Sequence, residues 1–182
     1  PPPRNPERTT DNGHPSPEVP IERKRVICLG ETLLRLEAPN HQRLVQSHSM
    51  DITFAGAEAN VAVSLRRLGL PAAFVSCVPD HEIGTAALQR LQAFGVNTDF
   101  DARRSGRLGV YYLETGACQR PSKVIYDRAN SVFSQMEPGS MPWDDILQDA
   151  RWLHVTGISP ALSAGAATGV REACELASER GV

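Results

Sequence analysis

Cysteine is scarce in this 182-residue chain, and its four cysteines form no metal-binding or redox pair. Cys28, Cys77, Cys118 and Cys174 lie far apart, and no CxxC motif occurs. The spacing therefore predicts neither a zinc site nor a disulfide framework. Because Cys28 and Cys77 lie in apolar stretches, we expect both to be buried, reduced thiols, and a cytoplasmic location is the simplest account.

An excess of basic charge and long apolar runs are also absent. Lysine and arginine number 19 against 21 acidic residues, and no basic block stands out. This balance argues against a nucleic-acid partner. No apolar run is long enough to span a bilayer, so we expect no membrane partner. The histidines lack metal-ligand spacing, and the chain contains no Walker loop, nucleophile elbow or Rossmann GxGxxG motif.

Proline is concentrated at the start of the chain, where residues 1–20 hold seven of the 14 prolines. Such a segment buries too little apolar surface to offset the entropy of ordering, so we predict a disordered tail there. Residues 21–182 are then expected to belong to one α/β domain. Because the chain begins at Pro1 and stops just after a predicted helix, we expect a fragment of a longer protein.

From residue 25 onward, apolar strands alternate with amphipathic helices. The predicted strands are 26–29, 73–78 and 152–155, and the predicted helices are 58–68, 84–94 and 163–180. Strands buried on both faces and separated by helices indicate a mostly parallel sheet flanked by helices. In the first helix, Val61, Leu65 and Leu68 are expected to form the buried face. His154, inside an apolar strand, is expected to be a satisfied core residue.

Two stretches, near residues 33–54 and 108–128, do not follow this alternation of strands and helices. Their candidate strands are 44–46 and 51–54 in the first stretch, and 110–113 and 123–126 in the second. We interpret both stretches as antiparallel hairpins outside the main sheet. A small β-sheet of this kind is placed to act as a lid over the carboxyl ends of parallel strands, where open α/β sheets bind ligands. The alternative is that the hairpins extend the edge of the main sheet.

A small-residue turn at Gly56 leads directly into the first helix. Gly56 allows backbone N–H groups to approach a ligand closely, and the first turn of the helix adds unpaired donors and a positive dipole end. Asn60, in that first turn, can both donate and accept hydrogen bonds with hydroxyl groups. An ordinary strand-to-helix turn, with Asn60 as a local cap, is the alternative. Glu58 suits the positive helix end better than a ligand.

Polar residues on the second hairpin and after the first strand form another candidate group. Tyr126 and Arg128 are two residues apart, so they project to one face of their strand. A hydroxyl and a guanidinium fork suit a substrate with keto and carboxylate groups. Tyr111 is placed to form a wall of the same pocket, and Glu31 to accept hydrogen bonds from sugar hydroxyls. The plainer alternatives are a solvated arginine, a packing tyrosine and a carboxylate that caps a turn.

Several of these motifs occur together in a recognisable order: Gly30-Glu31, the turn from Ala55 to Asn60, Gly69, and the segment from Asp80 to Gly84. Together they resemble the N-terminal signature of the ribokinase-like (PfkB) carbohydrate kinases. The Gly-Ala-Glu-x-Asn turn, the Tyr126-x-Arg128 pair and the segment 153–162 are similar to one branch, the 2-keto-3-deoxygluconate kinases. Glu58 and Pro79 depart from the broad family pattern but fit this branch.

The resemblance runs from about Val26 to Val182 and implies a ribokinase-like α/β fold with a β-sheet lid. It implies transfer of a phosphoryl group from ATP, with Mg²⁺, to the 6-hydroxyl of 2-keto-3-deoxygluconate, and a homodimer formed through the lid. The resemblance implies substrate contacts by Gly56, Tyr111, Tyr126 and Arg128. Asn60 and Glu31 are added to the expected substrate-binding residues because their side chains can form hydrogen bonds with sugar hydroxyls. The catalytic aspartate and most of the ATP site would lie beyond Val182, so the C-terminal half of the fold would be missing and this chain alone would be inactive.

Two other functions stay open at this stage. One is a kinase for a neutral sugar such as fructose or ribose, which Arg128 disfavours because a neutral sugar has no carboxylate to pair with it. The other is a non-catalytic sugar-binding or dimerisation fragment.

Overall fold

The computed structural model describes residues 24–182, so the predicted tail at residues 1–20 lies outside the described residues. The strands in this part are β1 (Arg25–Leu29), β2 (Leu33–Glu37), β3 (Asp51–Ala55), β4 (Ala72–Val75), β5 (Cys77–Pro79), β6 (Ala102–Arg104), β7 (Val110–Glu114), β8 (Lys123–Asp127) and β9 (Ala150–His154). The α-helices are α1 (Ala57–Arg67), α2 (Glu82–Gln92), α3 (Trp143–Leu147) and α4 (Ala164–Glu179). No helix among residues 24–182 is both long enough and apolar enough to cross a membrane.

A parallel sheet with the strand order β4-β1-β9 lies between the helices. Alternate side chains of β1 enter cores on opposite faces, as the period of two in a strand requires. Ile27 and Leu29 pack in a cluster with Ala166 and Ala173 of α4. Cys28 packs on the other face with residues of α1. The sequence-based prediction of a parallel sheet flanked by helices is confirmed.

The orientation of α1 differs from the sequence-based prediction. Its buried apolar residues are the small Ala59 and Ala62, whereas Leu68 is 77% exposed. Val61 and Leu65 are only half-buried. Val61 and Leu65 still pack against the core beside Ala59 and Ala62. The prediction of a buried face is wrong for Leu68, which follows the last residue of the helix.

Strand β9 is also less buried than its sequence predicted. Trp152 is 63% exposed, although the stretch 152–155 has the pattern of a buried strand. Within residues 24–182, β9 pairs only with β1 and therefore forms an edge of the sheet. An edge strand lacks a neighbour on one side, which leaves the large Trp152 side chain in contact with solvent.

A separate four-stranded sheet has the order β3-β2-β7-β8. The β2–β3 and β7–β8 pairs are antiparallel, and β2 and β7 run parallel at its centre. We call this the lid sheet; the predicted small β-sheet and its second hairpin are confirmed. The first hairpin was placed wrongly. Leu44–Gln46 is a 3-10 turn, because Glu114 accepts the Leu44 N–H and Arg43 accepts the Gln46 N–H.

The apolar stretch 73–78 is two strands rather than one. β4 belongs to the parallel sheet, while β5 pairs with β6 in a separate two-stranded ribbon. The chain changes partner at the fully buried Ser76, whose carbonyl accepts the Ala102 N–H. Periodicity alone does not reveal this change because both strands are completely apolar.

Candidate functional site

A cleft of about 350 Å³ lies between the carboxyl end of β1, the start of α1 and the lid sheet. Its lining includes all six residues predicted from the sequence: Glu31, Gly56, Asn60, Tyr111, Tyr126 and Arg128. A few polar groups that converge in a concave site at the end of parallel strands are typical of a small-molecule site. The structure thus brings together residues that are up to 97 positions apart in sequence.

A larger cavity of about 660 Å³ lies elsewhere, between α1 and β9. Most of its lining is apolar, with Val26, Leu65 and Trp152 among it. His154 also lines it, and its buried Nε2 atom has no hydrogen-bond partner within residues 24–182, so the prediction of a satisfied core histidine is wrong. Because its polar groups do not converge, we take the smaller cleft as the candidate site.

Gly56 sets the geometry of the cleft floor. It is the N-cap of α1 and has extended backbone, with a φ of −170°. A Cβ atom at this position would lie 2.4 Å from the backbone carbonyl oxygen of Glu31. Only glycine allows the β3–α1 junction to approach the end of β1 this closely. The junction therefore brings the N-terminal turn of the helix, with its positive dipole end, to the cleft.

Tyr111 and Tyr126 form one wall of the cleft. They are direct partners on the antiparallel strands β7 and β8, and their ring centroids lie 5.8 Å apart. The predicted common face of Tyr126 and Arg128 is observed, since both line the cleft and the guanidinium lies 5.9 Å from the Tyr126 ring centroid. Burial is the main cause that raises the pKa of the Tyr111 hydroxyl. At neutral pH this hydroxyl therefore remains a neutral donor and acceptor.

Arg128 and Glu31 form an ion pair inside the cleft. The side chain of Glu31 is 3% exposed and that of Arg128 is 22% exposed. The Nε group of Arg128 donates to Oε2 of Glu31 at 2.9 Å, and Nη2 donates to the same oxygen. The alternatives of a solvated arginine and of a turn-capping carboxylate are therefore wrong. The second oxygen of Glu31, Oε1, is buried and has no hydrogen-bond partner within residues 24–182.

Asn60 lies exposed at the rim of the cleft. Its N–H donates to the Gly56 carbonyl as an ordinary helical hydrogen bond, and its carbonyl accepts the Ser64 hydroxyl. The side-chain amide makes no hydrogen bond within the described residues, so the alternative of a local cap is not observed. The amide is therefore open to a ligand in the cleft.

Glu58 also lines the cleft, and the sequence did not indicate its contacts. It is only 3% exposed, and its Oε1 atom accepts hydrogen bonds from Thr156 and Ser159. The only sequence signal for this arrangement is a pair of hydroxyl residues after β9, which pattern analysis does not connect with α1. The prediction that Glu58 only complements the positive end of α1 was therefore incomplete.

Residues 24–182 offer no group of three or more histidine, cysteine, aspartate or glutamate side chains that could hold a metal ion. The two buried carboxylates of the cleft are engaged, Glu31 with Arg128 and Glu58 with two hydroxyls. The cleft is therefore suited to hold a hydroxylated molecule, and its described residues present no cradle for Mg²⁺ and a triphosphate.

Comparison with known proteins gives one consistent picture. Residues 23–181 match the family described as pfkB family carbohydrate kinase. A 2-dehydro-3-deoxygalactonokinase of Haloferax volcanii is 36% identical over 156 residues, which cover 86% of this chain and 49% of that protein. A 2-dehydro-3-deoxygluconokinase of Bacillus subtilis is 34% identical over 143 residues, 76% of this chain and 43% of that protein.

A solved structure supports the same relationship in three dimensions. The crystal structure of a 2-dehydro-3-deoxygluconokinase from Thermotoga maritima matches with a TM-score of 0.85 and 46% identity. The match covers 87% of this chain and 49% of that one. The chain thus spans about half the length of the curated relatives it matches.

Proposed function

Because the chain belongs to the pfkB family of carbohydrate kinases, we propose that it forms the sugar-binding half of an ATP-dependent sugar-acid kinase. The proposed acceptor is 2-keto-3-deoxygluconate, which is phosphorylated at its 6-hydroxyl. The observation that carries this proposal is the Arg128 guanidinium, fixed by buried Glu31 in a cleft that also presents Gly56 and Tyr126. The names of the two curated relatives, each a 2-dehydro-3-deoxy sugar-acid kinase, support the same substrate class.

Each cleft residue has a role in this proposal. The Nη1 group of Arg128, which takes part in no hydrogen bond within residues 24–182, donates to the substrate carboxylate. The hydroxyls of Tyr111 and Tyr126 bind the oxygens at the keto end. Asn60 and the backbone at Gly56 bind the sugar hydroxyls, and the unpartnered Oε1 of Glu31 accepts from one of them. A hydroxyl donor there would satisfy a buried oxygen whose isolation is costly.

The phosphate donor and the catalytic groups belong to the other half of the kinase in this proposal. Phosphoryl transfer needs an acceptor hydroxyl, a base and a charge-stabilising cradle held in line. The described cleft binds the sugar that carries the acceptor hydroxyl. ATP, Mg²⁺ and the catalytic aspartate are therefore assigned to the segment that the relatives have and this chain does not span, and the isolated chain is predicted to transfer no phosphate.

A homodimer through the lid sheet is part of the proposal, as is a cytoplasmic location. The lid sheet exposes apolar side chains that a monomer would leave in water, with Ile52 62% and Ile125 42% exposed. Exposed apolar groups on a sheet are typical of interaction surfaces.

A neutral-sugar kinase is the second candidate, and one observation favours it. Arg128 is already paired with Glu31, so its charge is partly compensated before any substrate carboxylate arrives. In that case the arginine would hold the cleft together rather than recognise an acid. The third possibility, a non-catalytic sugar-binding fragment, agrees with the coverage of about half of each relative.

Substitution of Arg128 in the full-length enzyme separates these candidates. Loss of a charged hydrogen bond costs about 1.5–3 kcal/mol, which predicts a roughly 10- to 100-fold lower kcat/KM of Arg128→Ala for 2-keto-3-deoxygluconate. The kcat/KM for fructose should change much less. Arg171→Ala, which removes an exposed arginine of α4, is the matched control and should affect neither substrate. Equal losses on both substrates would exclude the carboxylate role.

A further inference from the structure

We propose that Glu58 is a positioning residue that holds two walls of the sugar cleft at a fixed separation. This inference rests on the proposed function, since it concerns how the acceptor sugar is bound. One wall is the start of α1, with Gly56 and Asn60. The other is the turn after β9, with Ile158 and Ser159. The backbone of Glu58 belongs to the first wall, and its carboxylate accepts hydrogen bonds from the second.

The hydrogen bonds of Glu58 have only one possible direction. An ionised carboxylate accepts hydrogen bonds and cannot donate. The hydroxyls of Thr156, at 2.5 Å, and Ser159, at 3.2 Å, must therefore donate to its Oε1 atom. The lone pairs of the Thr156 oxygen remain available and accept the N–H of Ile158 at 3.3 Å. The carboxylate thus orients the whole turn that carries the second wall.

The space around Glu58 is shaped for its side chain. A Cβ atom at Gly30 would lie 2.2 Å from the Glu58 Oε2 atom, so the carboxylate occupies the place where any other residue at position 30 would put its side chain. Gly30 follows the carboxyl end of β1 directly. Glu58 therefore meets the central strand, the helix and the β9 turn at one point.

Contacts other than the Glu58 bridge hold the strands and helices of the fold together. Strand β9 is paired with β1 through its backbone, and α1 packs against the sheet through Ala59 and Ala62. The bridge to Thr156 and Ser159 is added beyond β9, where the chain turns toward the cleft. We infer that it sets the width of the cleft for its particular acceptor.

The test combines amide hydrogen exchange, sugar binding and kinetics in the full-length enzyme. Glu58→Ala should raise the exchange rate of the Ile158 amide by about fivefold, because the loss of an oriented hydrogen bond costs on the order of 1 kcal/mol. The dissociation constant for 2-keto-3-deoxygluconate, measured by calorimetry without nucleotide, and its KM should each rise by about fivefold on the same argument. The KM for ATP and kcat should stay within about twofold of wild type.

Three variants make the result specific. Glu58→Gln keeps an acceptor oxygen and should restore most of the sugar affinity. Thr156→Val removes one donor from the opposite wall without altering α1, so it should reproduce the loss of sugar binding of Glu58→Ala even if that variant folds poorly. Because Thr156→Val also removes the acceptor of the Ile158 N–H, only its sugar binding is compared. Ser64→Ala removes a hydroxyl that binds the Asn60 carbonyl on the same helix, and it should change sugar binding little.

Two results would overturn the proposal. The first is an unchanged exchange rate at Ile158 in Glu58→Ala. The second is a parallel loss in the KM for sugar, the KM for ATP and kcat, which would indicate general destabilisation. A wild-type enzyme that phosphorylates no sugar acid would instead contradict the proposed function, while the exchange data would still decide whether Glu58 fixes the turn.

Discussion

Arg128 donates two hydrogen bonds to a single carboxylate oxygen of Glu31, across 97 residues of sequence. Arg128 follows the last strand of the lid sheet, and Glu31 follows the central strand of the parallel sheet. The pair is therefore a link between the two sheets inside the candidate site. Because Glu31 is almost fully buried, neither partner can lose the other without leaving a poorly solvated charge.

Removal of the Glu31 carboxylate should destabilise the protein measurably. Loss of one partner from a buried pair costs about 3–5 kcal/mol, and the partial exposure of Arg128 reduces this, so we expect roughly 2–3 kcal/mol for Glu31→Ala. Glu31→Gln keeps an acceptor and should lose less. Urea denaturation measures both changes. Arg171→Ala, which breaks an exposed pair on α4, should leave the free energy of unfolding close to wild type, and an equally small effect of Glu31→Ala would contradict a structural role for the pair.

A methyl group at Gly56 should disrupt the floor of the cleft. The added Cβ would meet the carbonyl oxygen of Glu31 at 2.4 Å, and a backbone atom cannot rotate away. Overpacking of this kind costs about 1–3 kcal/mol, and Gly56→Ala should lose sugar binding as well as stability. Gly157→Ala is the matched control, because a methyl group at that position would have no atom of the described residues within 4 Å apart from those of residues 156–158. Similar losses in the two variants would mean that close approach is not the reason for Gly56.

The sequence predicted the framework of this fold because its strands and helices have strong periodicity. β1, α1 and α4 lie where the apolar pattern placed them, within a few residues. Strand β2 was missed, since the four residues from Leu33 to Leu36 do not alternate cleanly between apolar and polar. The exposure of Trp152 was missed as well, because burial of a strand depends on its neighbours in the sheet.

The candidate site could be predicted in its members but not in its internal contacts. Chemistry-bearing residues at strand ends and in one hairpin face were recognisable one by one. Their pairing was not, because Glu31 and Arg128 meet only after two separate sheets have formed. Glu58 shows the same limit, since its partners Thr156 and Ser159 lie about 100 residues further along the chain.

The four cysteines should divide into two reactive and two unreactive thiols. Burial raises the pKa of Cys28 to about 12, and burial raises that of Cys77 to about 11. Both therefore stay protonated at pH 8, whereas Cys118 and Cys174 are exposed. Partial burial and the nearby Glu175 also raise the pKa of the Cys174 thiol, so it should react more slowly than Cys118. Because the thiolate is the reactive form, Ellman's reagent should titrate two thiols in the native protein and four after unfolding. Native reaction of all four at a single rate would show that the core opens readily.

Asp101 should make the protein less stable as the pH rises. Burial is the main cause that raises the pKa of its carboxyl well above the ordinary value, and the Ser76 backbone and the Arg103 charge oppose this shift only in part. The folded protein therefore holds this proton more tightly than the unfolded chain, in which the pKa of aspartate is about 3.9. The stabilisation is complete below that value and is lost progressively until the pH passes the folded pKa.

Asp101→Asn should remove this pH dependence, since asparagine resembles the protonated carboxyl and cannot ionise. Between the two pKa values the group contributes a slope of about 1.4 kcal/mol per pH unit. The free energy of unfolding of the variant should therefore rise steadily relative to that of the wild type as the pH increases from about 4. Urea denaturation at several pH values between about 4 and 8 measures the difference. Asp145→Asn, at an exposed position of α3, is the matched control. Parallel stability curves for Asp101→Asn and wild type would show that Asp101 is ionised in the folded protein and that its burial is offset by contacts with solvent.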